Sequence, residues 1–139
     1  MSVPAARVWD VVADASTYPR WVVGAQSVRF VEGRWPDVGA RLHHKVGVWP
    51  LHIRDNTEVV EVNPPARLVM EGRVRPIGRA RIALHITARG SGCEVEMAEY
   101  PISPAPLRTA APLVEPLMAL RNVETLRRLE RCARERYAS

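Results

Sequence analysis

With 139 residues, 47% of them hydrophobic, the chain is long enough for one domain with a buried core, spanning residues 1–139. No apolar run approaches the roughly 20 residues that cross a bilayer, and the N-terminus lacks the charged start and apolar stretch of a signal peptide, so a cytoplasmic protein without stable membrane insertion is expected. The formal net charge of +5 comes from nineteen arginines and one lysine, Lys45. Where arginines are densest, between Arg121 and Arg136, they alternate with Glu124, Glu130 and Glu135, which reads as a solvated helix face with i,i+4 pairs. Aromatic residues do not alternate with the basic ones, which argues against nucleic-acid binding. Cys93 and Cys132 show no metal spacing and are expected to be free thiols.

In chain order, Ser2 is placed to cap a helix whose first turn holds Pro4 and whose apolar stripe is Val8, Val11 and Val12, flanked by Trp9. Ser16 or Thr17 starts a second short helix, shaped by Tyr18-Pro19 and ended by Trp21. Strand patterns follow. Val28 and Phe30 share one face. After a turn containing Pro36, Leu42, His44, Val46 and Val48 alternate with Arg41, His43 and Lys45. Pro50 predicts a bulge or hairpin, and Leu51, Ile53, Asp55, Thr57 and Val59 form the next face. Asn63-Pro64-Pro65 is a turn, followed by Leu68, Met70, Gly72 and Val74 on one face. Ala80, Ile82, Leu84 and Ile86 form a fifth strand face. Gly90-Ser91-Gly92 turns into a sixth strand with Cys93, Val95, Met97 and Glu99 on one side. Pro101 to Pro106 excludes regular structure, and a long helix runs from about Pro116 to Arg136, or is kinked at Pro116. Its first half, Leu113 to Leu120, is apolar almost all round, as for a helix end enclosed by a sheet. Its second half carries the stripe Met118, Asn122, Leu126, Leu129 and Ala133.

Antiparallel strands with short turns predict one curved sheet, its outer face stitched by arginine–glutamate pairs. Among the inward positions, His44, Asp55, Thr57 and Glu99 are polar, and Asn122 joins them from the helix stripe. Each needs a hydrogen-bond partner or a wet cavity. They read either as a cluster that orients a ligand carbonyl or hydroxyl, or as structural groups: Asp55 and Thr57 bonded to backbone near Pro50, and Glu99 paired with an arginine such as Arg121. A His44–Asp55 pair, or Glu99, could supply acid/base chemistry. His43 and His44 point to opposite faces and cannot share a metal, so neither metal nor cofactor is expected. Trp21 and Trp49 end elements and fit a pocket mouth, whereas Trp9 fits the core and Trp35 a loop anchor.

The opening phrase Val3-Pro4-Ala5-Ala6-Arg7-Val8-Trp9, with Trp21, resembles the polyketide cyclase/dehydrase-like branch of the START-like (SRPBCC) superfamily. His43-His44, Gly47-Val48-Trp49-Pro50-Leu51, Asp55-x-Thr57, Pro64-Pro65 and Arg121-Asn122-x-Glu124 are similar to phrases in bacterial members of that group. The resemblance implies an α+β helix-grip fold, a curved antiparallel sheet wrapped around the C-terminal helix with two short N-terminal helices. It also implies a cavity for a small hydrophobic molecule such as a lipid, polyketide or aromatic metabolite. Trp21, Phe30, His44, Trp49, Asp55, Thr57, Met70, Glu99 and Asn122 are the residues expected to line it. A cyclase or dehydratase using His44, Asp55 or Glu99 is the first alternative, and an interaction domain with a filled cavity the second. Members of the group carry a first strand ahead of the phrase that starts here at Val3, where this sequence has Met1 and Ser2. The expectation is a sheet lacking that strand, with residues 93–99 as an open edge that invites homodimer formation.

Overall fold

A computed structural model describes residues 1–48, 51–74, 78–103 and 111–138, with side chains at all of these except 46–48, 51–55, 74, 78, 103, 111–115 and 118. Helix α1 spans Ala5–Val12 and buries Val8, Val11 and Val12. A short turn of 3₁₀ helix at Ala15–Thr17 leads into α2, Tyr18–Trp21. Six strands follow: β1 Ala25–Glu32, β2 Arg41–Val48, β3 Leu51–Asn63, β4 Arg67–Val74, β5 Gly78–Arg89 and β6 Gly92–Ser103. Helix α3, Ala111–Ala138, completes the chain. The strands form one antiparallel sheet in sequence order, β1 to β6.

The start of α1 differs from expectation, and α3 follows the alternative in which Pro116 lies inside the helix. The first residue outside α1 is Pro4, whose carbonyl accepts from Arg7 and Val8, and no side chain caps it. Ser2 is drawn away instead, its amide donating to Glu130 on α3 at 3.2 Å. Helix α3 begins upstream of Pro116 and contains it. A proline there forfeits one bond, to the carbonyl four residues back at position 112, near the end of a 28-residue helix whose remaining bonds outweigh the loss.

The core lies between the concave face of the sheet and the helices. Leu42, Val59, Leu68, Met70, Ile82, Leu84 and Ile86 meet Val8, Val11, Val12 and Trp21 there, along with Leu129 and Ala133 from the second half of α3. The helix packs on α1 and α2 and reaches the sheet at β6. Among the described side chains of its first half, Leu117 and Leu120 are exposed rather than enclosed, and so is Val123 beyond them. Their spacing of three residues puts them on one solvent-facing side of the helix.

The outer face carries the expected cross-strand pairs. Arg41–Glu58 at 3.4 Å and Arg67–Glu61 at 2.7 Å are two of them. On α3, Arg128–Glu124 and Arg134–Glu130, both 2.9 Å, are i,i+4 pairs. Cys93 and Cys132 are buried free thiols. Among the described residues, no helix is long and apolar enough to cross a membrane.

Candidate functional site

Strand alternation decides which polar groups enter the core. In β2, His43 stays on the outer face beside Glu32, 2.9 Å away, while His44 turns inward and is 4% exposed. In β3, Thr57 also points inward, in register with Leu42 of β2 and Gly72 of β4. Its hydroxyl lies 2.8 Å from Nε2 of His44 and 3.3 Å from the phenol oxygen of Tyr18. Tyr18 comes from the first position of α2, which aims it into the sheet. Gly72 faces this hydroxyl across the strand pair, and a Cβ there would make ordinary contact with Thr57 Oγ1 at 3.5 Å. Thr57 therefore bonds two side chains across the core.

Around this chain of three polar groups stands an aromatic set. The Tyr18 ring is 5.4 Å from the His44 ring and meets Trp21 edge-on at 5.6 Å and Trp35 edge-on at 6.4 Å. Trp35 anchors its loop through an Nε1–H bond of 3.0 Å to the Val12 carbonyl. Trp21 is 1% exposed, so it forms part of the inner wall and not the mouth. Met70 lies in the row Val59, Met70, Ile82 and Glu99 that crosses the concave face.

Glu99 ends that row. Arg121 of α3 grips both its oxygens through Nη1, at 3.0 and 3.2 Å. The same guanidinium donates through Nε to the Val23 carbonyl at 3.0 Å, while the Val23 amide donates to Thr125 Oγ1 at 3.3 Å. Arg121 thus ties β6, α3 and the segment after α2 together. Burial pushes the Glu99 carboxyl above its usual range, against the opposing pull of Arg121 and Asn122. Burial also raises the Tyr18 phenol, with the Thr57 hydrogen bond opposing, so Tyr18 stays neutral and can both donate and accept.

The structure thus gathers Trp21, His44, Thr57, Met70, Glu99 and Asn122 on the concave side. Phe30 is a correction. The β1–β2 register shifts between Val28 and Phe30, so Val28 pairs with His44 and Phe30 with His43. This bulge moves Phe30 to the outer face, half exposed and stacked on His43 at 4.1 Å. Trp49 lies outside the described residues. The backbone of Asp55 pairs with His44, and its side chain lies outside the described ones. Sequence reasoning missed Tyr18, although Tyr18 and Trp21 at i,i+3 on one short helix share a face and signal a joint inward orientation. Arg121, read only as a structural partner for Glu99, is that partner and also the tie to Val23.

Residues 1–134 match the family model described as polyketide cyclase / dehydrase and lipid transport, and the chain belongs to that family, within the SRPBCC superfamily. No curated protein matches it. Among solved structures, protein NE0264 from Nitrosomonas europaea is similar over 100% of this chain and 92% of its own, at 14% identity and a TM-score of 0.77. The di-domain ARO/CYC StfQ of the steffimycin biosynthetic pathway is similar over 99% of this chain and 49% of its own, at 13% identity and a TM-score of 0.74. A protein from Rhodobacter sphaeroides matches over 93% of this chain and 84% of its own, at 19% identity and a TM-score of 0.70. These likenesses establish the helix-grip fold.

Proposed function

We propose that the protein binds a small hydrophobic molecule between the concave face of its sheet and helix α3. The observation that carries this reading is the buried chain His44–Thr57–Tyr18 set among apolar side chains, with Glu99 and Arg121 at its border. Cores built only for stability seldom concentrate hydroxyl, imidazole and carboxylate groups on one inner wall, because each burial costs desolvation. Ligand pockets do, since a few polar groups in an apolar lining fix orientation. Membership of a family described by cyclase, dehydrase and lipid-transport activities supports the same reading.

Catalysis of the cyclase or dehydratase kind is the second reading, and Glu99 is the group that favours it. Burial raises the pKa of this carboxyl, the direction that general acid chemistry requires. Its grip by Arg121 through both oxygens favours a positioning role and makes binding the preferred reading. Native mass spectrometry of freshly purified protein tests the proposal: an apolar molecule of a few hundred daltons should co-purify and leave on denaturation. Protein that carries no such mass, and that takes up no aromatic or fatty-acid probe afterwards, would count against the binding reading.

A further inference from the structure

The outer face of the sheet sets its arginines against glutamates, with an exception on β4 and β5. Arg41 pairs with Glu58, Arg67 with Glu61, Arg81 with Glu71 and Arg89 with Glu94, each across to a neighbouring strand. Arg73 and Arg79 do not follow. They are Cα partners in the β4–β5 register, so their side chains leave the same face side by side, with Cβ atoms about 4.5–5.5 Å apart. Among the described residues neither holds an acidic partner. The two also border a cleft, lined by Arg41, Asn56, Glu58, Glu71, Arg73 and Arg79. The other charges of this cleft are matched: Glu58 is held by Arg41, and Glu71 by Arg81 at its side. Two guanidinium charges are left uncompensated, one half-buried at Arg73 and one exposed at Arg79.

From this we infer that Arg73 and Arg79 form a binding site for a phosphate monoester on the outer face of the sheet. Like charges directly opposite each other destabilise a sheet, and neither guanidinium can shed its proton to relieve the repulsion. A bound anion relieves it instead. A guanidinium presents a planar fork of N–H donors that matches the oxygens of a phosphate group. A carboxylate cancels one of the two charges. A phosphate monoester carries close to two negative charges just above neutral pH, and cancels both. The site lies on the side of the sheet away from the core, so it stands independently of the binding reading above. Phosphate monoesters occur free on small molecules and as the headgroup of phosphatidic acid, and the experiment separates these sources.

The test is calorimetry on the intact protein with glycerol 3-phosphate and with acetate, at an ionic strength held constant with sodium chloride so that general screening does not change. Glycerol 3-phosphate should bind roughly tenfold or more tightly than acetate. Arg73→Gln and Arg79→Gln should each weaken it roughly tenfold or more, while Arg67→Gln, which removes a paired arginine of the same face, should leave it within about twofold. The phosphate ester should also raise the melting temperature of the wild-type protein and not of the Arg73 and Arg79 variants. Co-sedimentation with phosphatidylcholine vesicles, with and without phosphatidic acid, identifies the source. Retention that needs phosphatidic acid and both arginines, without binding of the free ester, assigns the site to a lipid headgroup. Binding of the free ester without retention assigns it to a small molecule. Wild-type protein that binds neither form, acetate that binds as tightly as the ester, or binding that survives both Arg73→Gln and Arg79→Gln overturns the inference and leaves two solvated surface charges. So does an equal loss in Arg67→Gln, which would show a response to net charge alone.

Discussion

Thr57 sits where two buried partners depend on a single hydroxyl. Thr57→Val keeps the shape and removes the bond to both Tyr18 and His44. The expected loss is about 1–3 kcal/mol, read as a lower urea midpoint with unchanged slope, and Thr57→Ser should recover most of it. A valine variant as stable as wild type would show the contacts to be incidental. Glu99 gives a prediction in pH. Its folded-state pKa is raised above the ordinary 4.5, so between that value and the raised one the folded protein holds a proton the unfolded chain has released. Stability from this group is therefore full at low pH and falls as pH rises through that window. Glu99→Gln removes the titration, so the stability of the variant relative to wild type should climb as pH increases from about 4.5 and then level off. A difference independent of pH would mean that Arg121 fully offsets burial. At this scale the sequence showed which residues alternate inward, as for His44 and Thr57. It could not show that Tyr18 reaches across to Thr57, because that contact joins residues 39 apart and exists only once α2 is docked.

Elements were legible where periodicity was clean. Strands β2, β4 and β5 run where alternation placed them, and α1 where its valine stripe did. The misreadings fall where one residue breaks the period or a distant contact overrides it. The bulge after Val28 reverses the facing of Phe30, and such a bulge leaves no mark in an eight-residue strand that lacks glycine. The exposed leucines of α3 read as core because apolar residues all round a helix do not reveal which face finds a partner. On the outer face, β4 and β5 place Arg73 directly opposite Arg79. Like charges in register are destabilising, and the diagonal Glu71 is already engaged by Arg81. Arg79→Glu should therefore raise stability by about 0.2–1 kcal/mol at low salt, with the gain shrinking as ionic strength increases. A gain that is absent at low salt, or that does not respond to salt, would mean that water screens the pair completely.

At the scale of the molecule, the sheet runs in sequence order, so β1 and β6 are its two borders. Met1 touches β6 at one point: its amino group donates to the Cys93 carbonyl at 2.7 Å, and the Cys93 amide returns a bond of 3.0 Å to the Met1 carbonyl. Gly92 permits this approach, since a Cβ there would lie 2.4 Å from the Met1 carbonyl oxygen. Because Cys93 directs its amide away from β5, alternation directs those of Val95, Met97 and Glu99 the same way. Pro101 has no N–H and closes the run. Among the described residues nothing pairs with those three, so β6 offers a short ladder of free donors and acceptors. Glu94 and Glu96 put charge on the outer face, which limits pairing without blocking it. We expect weak self-association, β6 against β6 of a second copy, visible as a concentration-dependent sedimentation coefficient. Val95→Pro removes an N–H that β5 does not use, and should abolish the association while leaving the melting temperature within a few degrees of wild type. Wild-type protein that sediments as a monomer at every concentration, or a proline variant that still associates, would place any contact elsewhere than the β6 edge.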